Sequence, residues 1–210
     1  MLKTFNTNIK SEYKNRLTKA FPKELHSDLN AVLKILPLEE KKIEHSDGKT
    51  YELDSLIHSS EHHAVINNET LTIPYRIYFD EPKLELEKTL TDKQRDILNC
   101  IYLRHHNGYL REKRLKQLSD KIEKWTIPFI VQLIGEYVYE LLPIIDKKVN
   151  AKTLITFNEF RFENRKYFQQ TESRMISYWD VYHRDISPKL KEYLGFRIVN
   201  RIKKRTHNNI

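Results

Sequence analysis

Leu90 to Asp146 read LTDKQRDILNCIYLRHHNGYLREKRLKQLSDKIEKWTIPFIVQLIGEYVYELLPIID, and the fold turns on how this stretch is divided. Thr91 and Gln94 stand at capping-box spacing: the threonine hydroxyl can accept from an early amide while the glutamine side chain reaches back. Ile97, Leu98, Ile101 and Tyr102 then recur at the spacing of one helix face. Asn107-Gly108 supplies two residues that tolerate positive φ, which predicts that the helix stops there. A second helix follows at once, with Leu110, Leu115 and Leu118 on one stripe. Trp125 opens the next element, and Pro128 suits a first helical turn, where its missing N–H costs nothing. Phe129, Ile130, Leu133, Ile134, Val138, Leu141 and Leu142 give this third helix a broad apolar face, with Pro143 near its end. The reading is one of stacked antiparallel helical hairpins.

Outward from that segment the pattern changes. Residues 1–20 are polar, with scattered Lys and Asn, and read as a loosely ordered lead-in. Phe21-Pro22 opens a helix with Leu25, Leu29, Val32, Leu33 and Leu36 at helical spacing, closed by Pro37. In residues 38–82, Ser46-Asp47-Gly48 marks a turn between Lys42-Ile43 and Tyr51-Leu53. Asn67-Asn68 separates Ala64-Val65-Ile66 from LTIPYRIYF, whose Pro74 confines it to an edge strand or extended segment. A small β-hairpin or extended element is expected there. Beyond a polar loop at 147–152, a helix is expected from Thr153 to Asn164, with Leu154, Phe157, Phe160 and Ile155 as its candidate inward residues. Thr171 reads as the N-cap of the next, which carries Met175, Ile176, Trp179 and Tyr182. Ser187-Pro188 is expected to start the last helix, with Leu190, Leu194, Ile198 and Ile202 as its stripe. The fold class is therefore mainly α, a single domain over 1–210, with the β or extended element at 38–82 and the helical core at 90–205.

HHNGYLREKRLKQL, residues 105–118, resembles the turn and second helix of a HEAT-type repeat. In that pattern an apolar residue followed by Arg opens the second helix, here Leu110 and Arg111, and a Leu closes it, here Leu118. PFIVQLIGEYVYELL, residues 128–142, is similar to the first helix of the next repeat, with acidic Glu136 near its end. Arg114 stands where a small residue is usual, and His105-His106-Asn107 replaces the acidic turn residue. The resemblance covers roughly a quarter of the chain. It implies an architecture and no specific activity.

The totals bound the chemistry. At 210 residues the chain can bury a substantial core, and 39% apolar content with twelve Tyr and nine Phe argues against wholesale disorder. The net charge of +8 permits nucleic acid, anionic lipid or an acidic protein as partner and selects none of them. Cys100 is the single cysteine, so no intramolecular disulfide forms, which fits a reducing compartment. No apolar run has the length of a signal peptide or a membrane span, and the cytoplasm is the default location. Glycine-rich nucleotide loops, a GxSxG elbow and a CxxC pair are all missing from the sequence, and no cofactor is expected.

Four constellations remain. Arg104, His105, His106, Arg111 and Arg114 gather about the central turn, and loops carry binding function disproportionately, so these five are the candidate contact surface for a protein partner. The alternative is structural, with Arg111 pairing an acidic residue of the neighbouring hairpin. His58 and His62 would share a face one turn apart if their segment were helical, a spacing usable for Zn²⁺ in a metal-dependent enzyme. Phe160 to Arg184 interleaves basic residues with aromatics, as in surfaces that hold phosphates and stack bases, although aromatics at helical spacing also build cores. The final helix carries Arg197, Arg201, Lys203, Lys204 and Arg205 opposite its apolar stripe, either a nucleic-acid contact or the charged outer face of a cap. An aromatic face around Trp179 is open to two readings, a homodimer contact or an internal core. The function expected from these is a non-enzymatic binding or adaptor protein, with nucleic-acid binding and metal-dependent catalysis as the alternatives.

Overall fold

The computed structural model describes residues 2–38, 42–44, 50–52 and 55–204, with side chains over 9–38 and 55–204. The chain is mainly α. Among the described residues ten α-helices run α1 Leu2–Thr18, α2 His26–Ile35, α3 Leu84–Glu87, α4 Asp92–Tyr102, α5 Gly108–Gln117, α6 Ile127–Ile134, α7 Leu141–Lys148, α8 Leu154–Glu163, α9 Arg165–Tyr178 and α10 Leu194–Lys203. Two antiparallel strand pairs lie in the N-terminal half, β1 Lys42–Glu44 with β2 Thr50–Glu52, and β3 Glu61–Ile66 with β4 Glu69–Pro74. The turn expected at Ser46-Asp47-Gly48 lies outside the described residues. No helix of the described residues is long and apolar enough to cross a membrane.

The hairpin β3–β4 forms because Asn67 and Asn68 both accept positive φ, 50° and 64°. A two-residue loop of that conformation matches the twist of the flanking strands. Glu61 faces Pro74 and Ile66 faces Glu69, so Pro74 falls at the strand end, where its missing N–H removes no ladder bond. Asn164, between α8 and α9, latches this hairpin to the helices. Its Oδ1 accepts from the Val65 amide at 2.6 Å and its Nδ2 donates to the Val65 carbonyl at 2.9 Å.

The expected lead-in is a helix, not a loose segment. Tyr13 and Leu17 of α1 are buried, and Arg16 donates to the carbonyls of Ile57 and His58. The capping box at Thr91 forms as read, with Thr91 Oγ1 accepting from Gln94 N and Gln94 Oε1 accepting from Thr91 N. Ile97, Leu115 and Leu133 are fully buried between the helices. α2 packs on α4, α4 on α5, α5 on α7, and α6 on both α7 and α9, while α10 closes the stack across α7, α8 and α9.

Four boundaries differ from the sequence reading, each for a physical reason. Asn107-Gly108 does not end α4. That helix stops at Tyr102, because the chain there turns to pair with residues 75–77: Ile77 N donates to Arg104 O and His106 N to Ile77 O. Asn107 instead has φ −76° and caps α5, its Oδ1 accepting from Tyr109 N. The third helix breaks into α6 and α7. A Cβ on Gly135 would stand 2.7 Å from the Thr171 carbonyl oxygen, so glycine ends α6 where α9 crosses it. Pro143 accordingly sits in the first turn of α7. Thr171 caps nothing. It is a buried residue in the middle of α9, against that glycine. The last helix begins at Leu194, not at Ser187-Pro188, after a short 3₁₀ turn at Leu190–Glu192.

Candidate functional site

The hairpin between α4 and α5 holds a cluster of arginines about one carboxylate. Each arrives from a different element: Arg76 just past β4, Arg104 two residues past α4, Arg111 in the first turn of α5, and Glu136 two residues past α6. Arg76 Nη1 donates to Glu136 Oε1 at 2.9 Å and Arg104 Nη2 to the same oxygen at 3.1 Å. Arg111 Nε lies 2.9 Å from Oε2, an ion pair whose N–H is poorly aimed. Arg104 also donates to the Tyr75 carbonyl, and Arg111 Nη1 to the carbonyls of His105 and His106. Burial alone would raise the Glu136 carboxyl, but Arg104, Arg111 and Arg76 outweigh it and hold the group below the usual carboxylate range. Burial in turn lowers Arg104 to about 10.

The five residues expected on a contact surface therefore divide. Arg104, His105, Arg111 and Arg114 are buried, and His106 is exposed. Arg111 meets an acidic residue of the neighbouring hairpin, the structural alternative, and Arg114 is held by Glu81, Glu87 and Asn99. The guanidinium groups pin loops instead of facing solvent, because a buried cation is tolerable only where carboxylates and carbonyls surround it.

Beside the cluster, at the surface, His62 of β3, Tyr75 and Arg174 of α9 come together. Arg76 and Arg174 lie 4.7 and 5.5 Å from the Tyr75 ring centre, and Arg174 Nη1 is 3.4 Å from His62 Nε2. Burial first, then the charges of Arg104, Arg174 and Arg76, lower His62 to about 4, so its ring is neutral at pH 7. His58 and His62 do not share a helix face. One is in a loop, its Nδ1 accepting from Ser60 N, the other in a strand, and both pack on Tyr75 at 5.3 and 5.7 Å. Three guanidinium groups near His62 oppose a cation there. Among the described residues no group of three or more His, Cys, Asp or Glu is disposed to hold a metal.

A cleft of about 370 Å³ opens on the far side of the same hairpin, lined by His106, Asn107, Gly108, Tyr109, Glu112, Tyr137, Val138 and Glu140. Tyr109, 86% exposed, stands on one side and Tyr137, 49% exposed, on the other. Tyr137 continues into Tyr178 and Tyr182 at centroid distances of 6.1 and 6.4 Å. Tyr182 sits in the π-helical turn Trp179–His183 that follows α9, with Val181 exposed in the same turn and Ile186 exposed three residues beyond it. Tyr182 is exposed on this turn, while Trp179 stays buried and donates to Ser187 O. Trp179 is thus internal core.

The terminal helix is less free than its sequence reads. Arg201 is paired with Asp146 and Lys203 with Glu172, while Arg197 and Lys204 are exposed. Arg205 lies outside the described residues.

Tyr75, Arg76, Arg174, Tyr109 and Tyr137 were not singled out as a group by sequence reasoning. They lie up to a hundred residues apart, and the only local signal was an aromatic next to a cation in Tyr75-Arg76. No protein-family model, curated protein or solved structure matches the chain.

Proposed function

We propose that the chain is a non-enzymatic binding protein, an adaptor on a HEAT-like helical-hairpin scaffold, that takes a protein partner against its tyrosine-rich face. One observation carries this: Tyr109 and Tyr137 are exposed and line one cleft, and exposed Tyr182 packs on Tyr137, with Val181 beside it in sequence also exposed. Exposed tyrosines offer large, stiff contact area with a polar end, the composition of binding hot spots. Stacked helical pairs commonly present such a surface. The contact surface is thereby moved from the buried arginines to the exposed tyrosines, one of which, Tyr137, lies against Arg111. The nucleic-acid alternative has less support, since two of the basic residues it relies on already face carboxylates.

Co-purification of the full chain from its source cells tests the reading. A stoichiometric protein partner is expected with the wild type and is lost at least about tenfold in a Tyr137→Ser/Tyr182→Ser variant of unchanged melting temperature. A partner retained equally by the variant, or none under several conditions, overturns it. Sedimentation of the purified chain identifies the case in which the partner is a second copy.

A further inference from the structure

The arginine cluster is electrostatically incomplete. Among the described residues Arg76, Arg104, Arg111 and Arg174 converge on a region whose one carboxylate, Glu136, is already engaged by three of them. Four guanidinium groups against one carboxylate leave three positive charges uncompensated among those residues. The next nearest acid along the strand, Glu61, is taken by Arg16. Among the described residues Arg174 has no carboxylate partner, and it faces the neutral ring of His62. Arg104, 1% exposed, keeps Nη1 without a hydrogen-bond partner, although its other nitrogens are used. Gln132 Nε2, on the Tyr167 side of His62, is likewise buried and unpartnered. Buried donors without acceptors are rare in native proteins and call for an occupant that accepts.

We propose that His62, Tyr75, Arg76 and Arg174, with Arg104 beneath them, form a binding site for a phosphoryl oxyanion. A single carboxylate would leave most of the excess charge in place, whereas a phosphoryl group brings about −1.5 to −2 and three acceptor oxygens. Planar guanidinium forks match that geometry. Arg174 is exposed, His62 and Arg76 are half-buried and Arg104 is buried, so the group runs from the surface inward. Tyr75, flanked by two guanidinium groups, supplies a ring beside the anion, so both free phosphate and a phosphoryl group on an organic carrier present the required chemistry. The inference is independent of the tyrosine face, whose residues the test below leaves intact.

The full chain is titrated with inorganic phosphate and, separately, with phenyl phosphate, with chloride at matched ionic strength as control. Binding is followed by calorimetry and by the His62 ring proton resonances. Phosphate is expected to bind with movement of the His62 signals, and Arg174→Gln to weaken it by about tenfold or more, since charge-assisted contacts are the strong ones. Arg174 is exposed, so the variant folds, and an unchanged melting temperature checks this. Arg197→Gln, an exposed basic residue of α10 outside the cluster, leaves binding unchanged. Tighter binding of phenyl phosphate identifies a carried phosphoryl group as the ligand, and equal binding identifies the free ion. No binding of either anion at millimolar concentration beyond the chloride control overturns the site, as does equal binding by wild type and Arg174→Gln.

Discussion

Replacing Glu136 by Gln tests the account of the core most directly. The substitution keeps the shape of the side chain and removes its charge. It leaves Arg104 and Arg111, which are 1% and 0% exposed, facing an amide where they had a carboxylate. Their desolvation is unchanged while the attraction that offset it is gone. Breaking a buried pair by removing one partner costs about 3–5 kcal/mol, and at about 2–4 °C per kcal/mol for a chain of this size Tm falls by about 6–20 °C. Urea and thermal unfolding measure both. The control is Lys116→Ala, which breaks the exposed pair with Glu112 and is expected to change stability by less than about 1 kcal/mol. The same carboxylate gives a pH signature. Its folded pKa lies below its unfolded one, so its contribution is present above the unfolded value, about 4.3, and is lost as pH falls through the folded value. Wild type and Glu136→Gln should therefore converge in stability as pH drops below about 4. A loss at pH 7 smaller than about 1 kcal/mol, or a gap between the two proteins that does not narrow in acid, would mean that Glu136 does not compensate the buried guanidinium groups.

Further outcomes follow from single contacts. His62 should titrate near pH 4 by NMR, and its depressed pKa makes it a group whose stability contribution falls as pH drops from about 6.5 towards 4, because the unfolded chain takes up the proton first; a midpoint near 6.5 would show that the arginines do not surround it. Gly135→Ala places a methyl group 2.7 Å from the Thr171 backbone oxygen and should cost about 1–3 kcal/mol in urea unfolding, whereas an unchanged midpoint would mean that α6 and α9 separate freely. Cys100 is fully buried and burial pushes its thiol well above the ordinary range, so native protein should react with a thiol reagent only as it opens; labelling as fast as in urea would contradict the packing of α4.

The parts of the fold that were legible rest on local chemistry. The Thr91 box, the Asn67-Asn68 turn and the apolar spacing of α2, α4 and α5 depend on residues within one or two turns of each other, so local pattern alone specifies a mainly helical chain with a small hairpin. The pairing of Arg111 with an acidic residue was likewise within reach, as an alternative, because charges buried on a helix need a counter-charge. Gly135 is different. Its periodic neighbours favour a continuous helix, and only the crossing of α9, thirty-odd residues later, decides that the helix ends there. Asn107-Gly108 can cap either helix, and the pairing of residues 75–77 with 104–106 chose the second. Above all, tertiary structure decided which charges are surface and which are core. A sequence gives the number of guanidinium groups but not their desolvation or the direction they face, and those follow from where Glu136, the Tyr75 carbonyl and the tyrosines come to lie once distant elements pack.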